Sequence, residues 1–314
     1  MTADLTAVPD TAILDMKAKQ AAYHDWESQS YEEKFCINYD QPCIDYVRGR
    51  FDKVIPAPVD GRVLELGGGT GFFSINLALS GAITGELHVS DISPGMLEVC
   101  QTNAAGNGVE VVTEVGDAEA LPYPDDHFDL VMGHAFLHHL PVPGLAIREA
   151  FRVLKPGGRL LIAGEPTELG DRISHVVKHN TWRAFRAVTA LPGLQRLRRQ
   201  DLKHGEASER DTIMARLEDE VDLWTFRPKD VAHMASLAGF DEVDVQTEEL
   251  LANWSGWAVR TIEGSIADGV LGMPWFQFAF GSYKFFTEVD ERVMRHVVPQ
   301  RFFYNLLLTA TKPA

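Results

Sequence analysis

The stretch Val63-Leu64-Glu65-Leu66-Gly67-Gly68-Gly69-Thr70-Gly71 constrains this chain more than any other. An apolar, β-like run carries one acid, then gives way to four glycines within five positions, and a helical pattern follows from Phe72 to Ser80. Glycine lets the backbone turn where other residues cannot, and lets a ligand lie against bare main chain. A helix that starts directly behind such a loop aims its unpaired N–H groups back at that ligand. The segment therefore reads as strand, ligand loop and helix.

From this point strands and helices alternate, which predicts a parallel sheet with crossover helices. Strands are expected at 62–66, 86–90, 110–115, 128–133 and 159–163, with a helix over 143–153. Ser93 and Pro94 form a helix start, an N-cap residue followed by proline in the first turn. Before the sheet, residues 1–12 read as a loose tail and residues 13–53 as amphipathic helix rich in tyrosine. After residue 165 the alternation stops: residues 166–227 read as helical without a clear strand. Within them, segment 172–203 holds eight Lys/Arg against one acid, Asp201. That run reads as a solvated helix face, the alternatives being attraction to an anionic acceptor or an acidic membrane surface. A helix at 228–238 and a strand at 242–247 resume the pattern. Residues 250–298 read as irregular and hold Trp254, Trp257, Trp275, Phe276, Phe278, Phe280, Tyr283, Phe285 and Phe286; a final strand is expected at 303–311.

The resulting fold class is α/β, Rossmann-like: a seven-stranded, mostly parallel sheet with helical N-terminal and inserted segments. The expected organisation is a helical cap at 1–60 and a core at 61–165, 228–249 and 300–312. Insertions at 166–227 and 250–299 are expected to serve as a substrate lid or an interface, which leaves a homodimer open. A net charge of −16 disfavours nucleic acid as a partner, because phosphate binding needs a basic surface. The three cysteines, Cys36, Cys43 and Cys100, form no CxxC pair and read as small buried residues in a reducing, cytoplasmic setting. No signal peptide is read at the N-terminus, and no apolar run is long enough to span a bilayer.

The glycine spacing selects among nucleotide-like ligands. A nicotinamide-binding loop uses G-x-G-x-x-G; here Gly67 and Gly69 are followed by Phe72 where the third glycine belongs, and Glu65 precedes the loop. This pattern resembles the first motif of class I S-adenosylmethionine-dependent methyltransferases of the small-molecule type. The resemblance implies S-adenosylmethionine as cofactor. By it, Gly67, Gly68, Gly69 and Gly71 cradle the methionine part and Glu65 sits near the sulfonium end. Asp91, at the end of the second strand, has the register to accept both ribose hydroxyls, flanked by Ile92 and Met96. Gly116-Asp117-Ala118-Glu119-Ala120-Leu121-Pro122-Tyr123 is similar to the family's segment after strand three. That likeness implies that Asp117 accepts from the adenine amine and that the Ala118 N–H reaches the ring. Phe128-Asp129-Leu130-Val131 and Leu154-Lys155-Pro156-Gly157-Gly158 resemble the motifs of strand four and of the turn into strand five.

Beyond strand four lies His134-Ala135-Phe136-Leu137-His138-His139-Leu140. Neutral imidazole can take a proton near pH 7, so His138 and His139 are candidate bases, and His134 is expected to touch the cofactor. The alternative is that these residues pack or close the cofactor pocket. No metal is expected, since adjacent residues on a helix do not share a face. Glu165, at the tip of strand five, either orients and deprotonates a substrate hydroxyl or starts a helix beside Pro166. The expected reaction is methyl transfer by in-line displacement to a small-molecule acceptor, on oxygen or carbon, in secondary or quinone-type metabolism. The alternatives are an N- or protein methyltransferase, or a cofactor-binding regulator without transfer activity.

Overall fold

The computed structural model describes residues 10–35, 37–55, 58–198, 217, 220–267 and 269–314. Seven strands form one sheet: β1 (Val63–Leu66), β2 (Leu87–Asp91), β3 (Val112–Val115), β4 (Phe128–His134), β5 (Leu154–Pro166), β6 (Asp241–Glu248) and β7 (Asn305–Thr311). Their order is β3-β2-β1-β4-β5-β7-β6. Strands β3 through β5 pair in parallel, and β7 runs antiparallel to both β5 and β6. The chain leaves β1 in one direction through β2 and β3, then in the other through β4 and β5. Open α/β sheets bind ligands at the carboxyl ends of the strands where the order reverses, here between β1 and β4.

Side chains alternate across a strand, and that alternation sorts the core into two layers. Leu64, Leu66, Val131, Leu160 and Ile162 pack on one face against α6 (Pro143–Val153) and α8 (Pro228–Ala238). Val63, Val89, Leu130, Met132 and Leu161 face the other way, onto α3 (Gln41–Phe51), α4 (Phe72–Leu79) and α5 (Pro94–Gly106). Local chemistry sets the helix ends. Ser93 accepts from Met96 N at the start of α5, and Gly239, at φ 105°, stops α8. At the N-terminus, α1 (Asp10–Glu27) and α2 (Tyr31–Phe35) precede α3, so helix already begins inside the segment expected to be a loose tail.

The stretch 250–298, irregular in its residue pattern but expected to be a helical insertion, folds into regular elements. This stretch is helical: α9 (Leu251–Ser265) and α10 (Met273–Val289). Its aromatics do not form a core, for no residue of α10 is fully buried. Aromatic helices lying on a protein surface lack the 3.6-residue alternation with charge that marks a helix in sequence. Helix α7 (Glu168–Val188) lies behind α9, and Asn253 Nδ2 donates to Ser174 Oγ at 2.7 Å between them. Strand β5 begins at Leu154, five residues before its expected start. The remainder of the 166–227 insertion falls partly at 199–216 and 218–219, outside the described residues. Cys36 also lies outside them; Cys100 is buried as expected, whereas Cys43 is only half-buried. Among the described residues no helix is long and apolar enough to cross a membrane.

One buried carboxylate fixes the loop that follows β4. Glu165, fully buried near the end of β5, accepts from the backbone N–H groups of Phe136, Leu137 and His138 at 3.0, 2.8 and 3.1 Å. Its Oε2 also lies 2.8 Å from His138 Nδ1. These bonds engage the lone pairs of both oxygens and hold the short 3₁₀ turn Leu137–His139. Replacing a hydrogen-bonded buried acceptor strands its donors. We expect Glu165→Ala to lower unfolding stability by about 3 kcal/mol in urea denaturation.

Candidate active site

A cavity of about 1000 Å³ opens at the carboxyl ends of the strands. Its walls come from the β1–α4 loop, the tips of β2 and β4, α1, α3, α9 and α10. Glu65, Gly67, Gly68, Gly69, Asp91, Ile92, Met96, Asp117, Ala118, His134, His138 and His139 all line it. Two expected site residues do not. Gly71 is the N-cap of α4 at φ 86°, a left-handed position that suits glycine, and its work is to start the helix. Glu165 lies beneath the β4 loop with no exposed surface, so it positions His138 and is itself out of reach of a substrate.

The glycine loop is shaped by close approach. A Cβ on Gly67, whose φ is 57°, would lie 2.5 Å from Phe136 Cβ, so only glycine allows β1 and the β4 loop to meet. Glu65 shares the Val63 side of β1 by parity and therefore faces α4, where it accepts from Ser74 N at 3.2 Å. Burial pushes its carboxyl up to about 8, against the opposing effect of Ser74. A neighbouring cation would favour its ionised form. Asp91 braces the other side of the loop: Oδ2 accepts from Gly69 N at 2.9 Å and Oδ1 from Ser93 N at 2.9 Å. Burial raises its pKa as well, against the opposing effect of His24 and of the Ser93, Gly69 and Ile92 N–H groups.

Helix α1, in the segment expected to form an N-terminal cap, crosses this half of the cavity. Lys17 Nζ bridges Asp117 Oδ2 and Glu119 Oε2, both at 2.6 Å, while Asp117 Oδ1 accepts from Glu119 N. Gln20 Nε2 donates to the carbonyls of His139 and Val221, which ties α1 to the β4 loop. Asp25 Oδ1 accepts from Gly95 N at 2.8 Å in the first turn of α5. The tyrosine-rich amphipathic pattern of residues 13–53 carried part of this signal; the lysine and glutamine carried none.

The three histidines have separate environments. His134 stacks on Phe73 with ring centroids 5.1 Å apart, and burial lowers its pKa to about 4, so it is neutral. Its Nε2 is buried without a hydrogen-bond partner. His139 is also neutral: burial and the neighbouring His138 hold its pKa well below 6.5. Burial works in the same direction on His138, but Glu165, Asp222 and Asp171 together outweigh it and raise the pKa above 6.5. With Nδ1 held by Glu165, the Nε2 edge of His138 faces the cavity. The expectation that adjacent histidines diverge does not hold on this 3₁₀ turn. Their ring centroids are 4.0 Å apart, and His138, His139 and Asp222 bring ligand-type atoms within 4.8 Å of one another. The His139 atom nearest Asp222, Nδ1 at 3.3 Å, is already 3.1 Å from the Val221 carbonyl and donates to it, which removes it as a metal ligand.

The far end of the cavity holds a polar cluster that sequence reading missed. Buried Arg50 pairs with Glu248 at 2.5 Å and with Glu249, and lies 3.7 Å over the Tyr46 ring. Glu249 also accepts from Tyr283 Oη at 2.5 Å and Asn305 Nδ2 at 2.8 Å. Its backbone is left-handed at φ 64°, a strained state for a glutamate that persists because these partners fix the side chain. Trp257, Phe276 and Phe280 complete this wall.

Comparison with known proteins agrees with the geometry. Residues 64–162 match a family described as a methyltransferase domain. The ubiquinone/menaquinone biosynthesis C-methyltransferase UbiE of Laribacter hongkongensis is 39% identical over 101 residues, 32% of this chain and 41% of that protein. The same enzyme of Vibrio campbellii is 38% identical over 117 residues, 37% of this chain and 45% of that protein. The chain thus spans less than half the length of these curated relatives. In fold, it is similar to Haemonchus contortus phosphoethanolamine N-methyltransferase 2, with a TM-score of 0.56 and 16% identity over 95% of this chain and 59% of that one. Residues 64–162 of the chain therefore match a methyltransferase domain.

Proposed function

We propose that this protein transfers a methyl group from S-adenosylmethionine to an apolar small molecule, a phenol or quinol acceptor methylated on oxygen or ring carbon. The observation that carries the reading is a bare glycine loop at the reversal of strand order, flanked by two buried carboxylates, Glu65 and Asp91. The residues fit the cofactor. Gly69 has open space where a Cβ would be, leaving main chain exposed to the cavity. Asp91 is placed for paired hydroxyls, and Glu65 for a cationic centre. Asp117, Ala118, Ile92 and Met96 would hold the base end, with α1 across it. The quinone-type acceptor is supported by the names of the curated relatives and by the aromatic wall at the far end.

When bound, the cofactor supplies an electrophilic methyl group, so the protein chiefly aligns the acceptor and excludes water. We assign that work to the described residues of the expected cap at 1–60 and of the insertions at 166–227 and 250–299. Neutral His134, stacked on Phe73, packs against the cofactor side. For a hydroxyl acceptor, His138 Nε2 takes the hydroxyl proton while Glu165 stabilises the imidazolium formed. His139 stays neutral and supports the turn. The net charge of −16 disfavours nucleic acid as the acceptor.

Titration with S-adenosylhomocysteine tests the cofactor site. Asp91→Ala is expected to weaken binding more than tenfold, the loss of two hydrogen bonds to a buried carboxylate; unchanged affinity removes Asp91 from the ribose role. Glu65 yields a second measurement. Because its carboxyl is protonated below about 8 in the free protein, binding of cationic S-adenosylmethionine at pH 7 should release a proton. Calorimetry in buffers of different ionisation enthalpy should show that release, and Glu65→Gln should abolish it. For transfer to a phenol, kcat/KM should rise with pH through a midpoint above 6.5 as His138 loses its proton. His138→Gln should flatten that limb and cost on the order of 100-fold in rate. A His138→Gln enzyme with the parent profile would falsify the base assignment.

A further inference from the structure

The outer end of the helical layer displays apolar side chains that the proposed mechanism does not use. On α7 and just beyond it, Trp182, Val188 and Leu191 are 45%, 57% and 56% exposed. The chain then folds back onto the end of α9: Leu197 O accepts from Ala267 N at 2.9 Å, and Arg198 bridges to Ile266. This join brings the start of α10 to the same tip, where Val270, Met273 and Phe276 are 43%, 67% and 49% exposed. Apolar side chains scattered singly need no explanation, but a cluster at one tip marks an interaction surface.

The charge of this tip is opposite to that of the molecule. From Arg183 through Arg198 the sequence has four Arg and no Asp or Glu, in a chain of net charge −16. Asp268 is the one acid in the sequence between Glu263 and Glu288. Cations beside exposed tryptophan and aliphatic side chains suit the headgroup region of an anionic bilayer. A second copy of the chain suits it less, because a two-fold contact would set these arginines against themselves. Phe276 and Phe280 are at once exposed and part of the cavity wall, so the tip is continuous with the acceptor end of the cavity.

We propose that this tip seats the protein on an anionic lipid surface, and that an apolar acceptor passes from the bilayer along α10 into the cavity. The second half of this inference rests on the acceptor reading above; the first does not. Flotation of the full chain with vesicles tests it. The chain should bind phosphatidylglycerol vesicles, bind pure phosphatidylcholine weakly, and release at high salt. Reversal at Arg183→Glu, Arg186→Glu and Arg196→Glu should weaken vesicle binding on the order of 100-fold. Leu191→Asp with Met273→Asp should also remove it. Both variants should bind S-adenosylhomocysteine as the parent does, which shows that they fold and keeps this test separate from that of the cofactor site. Equal binding to both vesicle types, or binding undiminished in both variants, overturns the proposal. So does a dimer in light scattering that the Asp variants dissociate while no vesicle binding is seen.

Discussion

The parting of the chain between β1 and β4 is the constraint on which the site depends. Two strands that are neighbours in the sheet but distant in sequence leave their following loops to diverge, one toward β2 and the other toward β5. The space between those loops is the cavity. Side-chain alternation on β1 then decides which residue can reach it: Glu65, on the α4 side, rather than Leu64 or Leu66. Phe136, packed against Gly67, sets how closely the two loops approach.

Buried carboxylates recur as the means of holding loops. Glu65 meets a backbone N–H of α4, Asp91 meets Gly69 and Ser93, Glu165 meets the turn after β4, and Asp290 accepts from Leu250, Leu251 and Ala252 at the start of α9. Each places an acceptor where main-chain donors would otherwise be stranded. The four differ in what else surrounds them. Glu65 and Asp91 also face the cavity and lack a counter-charge in their hydrogen bonds, so burial raises their pKa values. Glu165 lies outside the cavity lining and is engaged by the loop's N–H groups and by His138.

The parts legible in sequence were those written locally. The strand, loop and helix from Val63 to Leu79, Ser93 as a cap, and the helices at 143–153 and 228–238 each follow from residues within a few positions of one another. The place of Asp91 at the end of β2 was legible for the same reason. Glu165 was misread because its partners are 27 to 29 residues away, and no local pattern tells an anchor from a base. The histidine pair was misread because the turn is 3₁₀ rather than α. Within 250–298 the helix boundaries were not legible, because the burial pattern there follows from α7 and the cavity, which the sequence of that stretch does not reveal.

The cluster around Arg50 has a consequence for how such a chain can diverge. Its members come from α3, the end of β6, α10 and β7, and the Arg50–Glu249 pair alone joins positions 199 residues apart. Losing one partner of a buried ion pair leaves the other uncompensated, at a cost of about 3–5 kcal/mol. The acceptor wall is therefore not a set of exchangeable modules. A lineage that replaced the aromatic helix to accept a new substrate would have to change the N-terminal helix and the end of β6 with it. Substrate range in descendants of this fold should shift in coordinated jumps rather than by grafting single insertions.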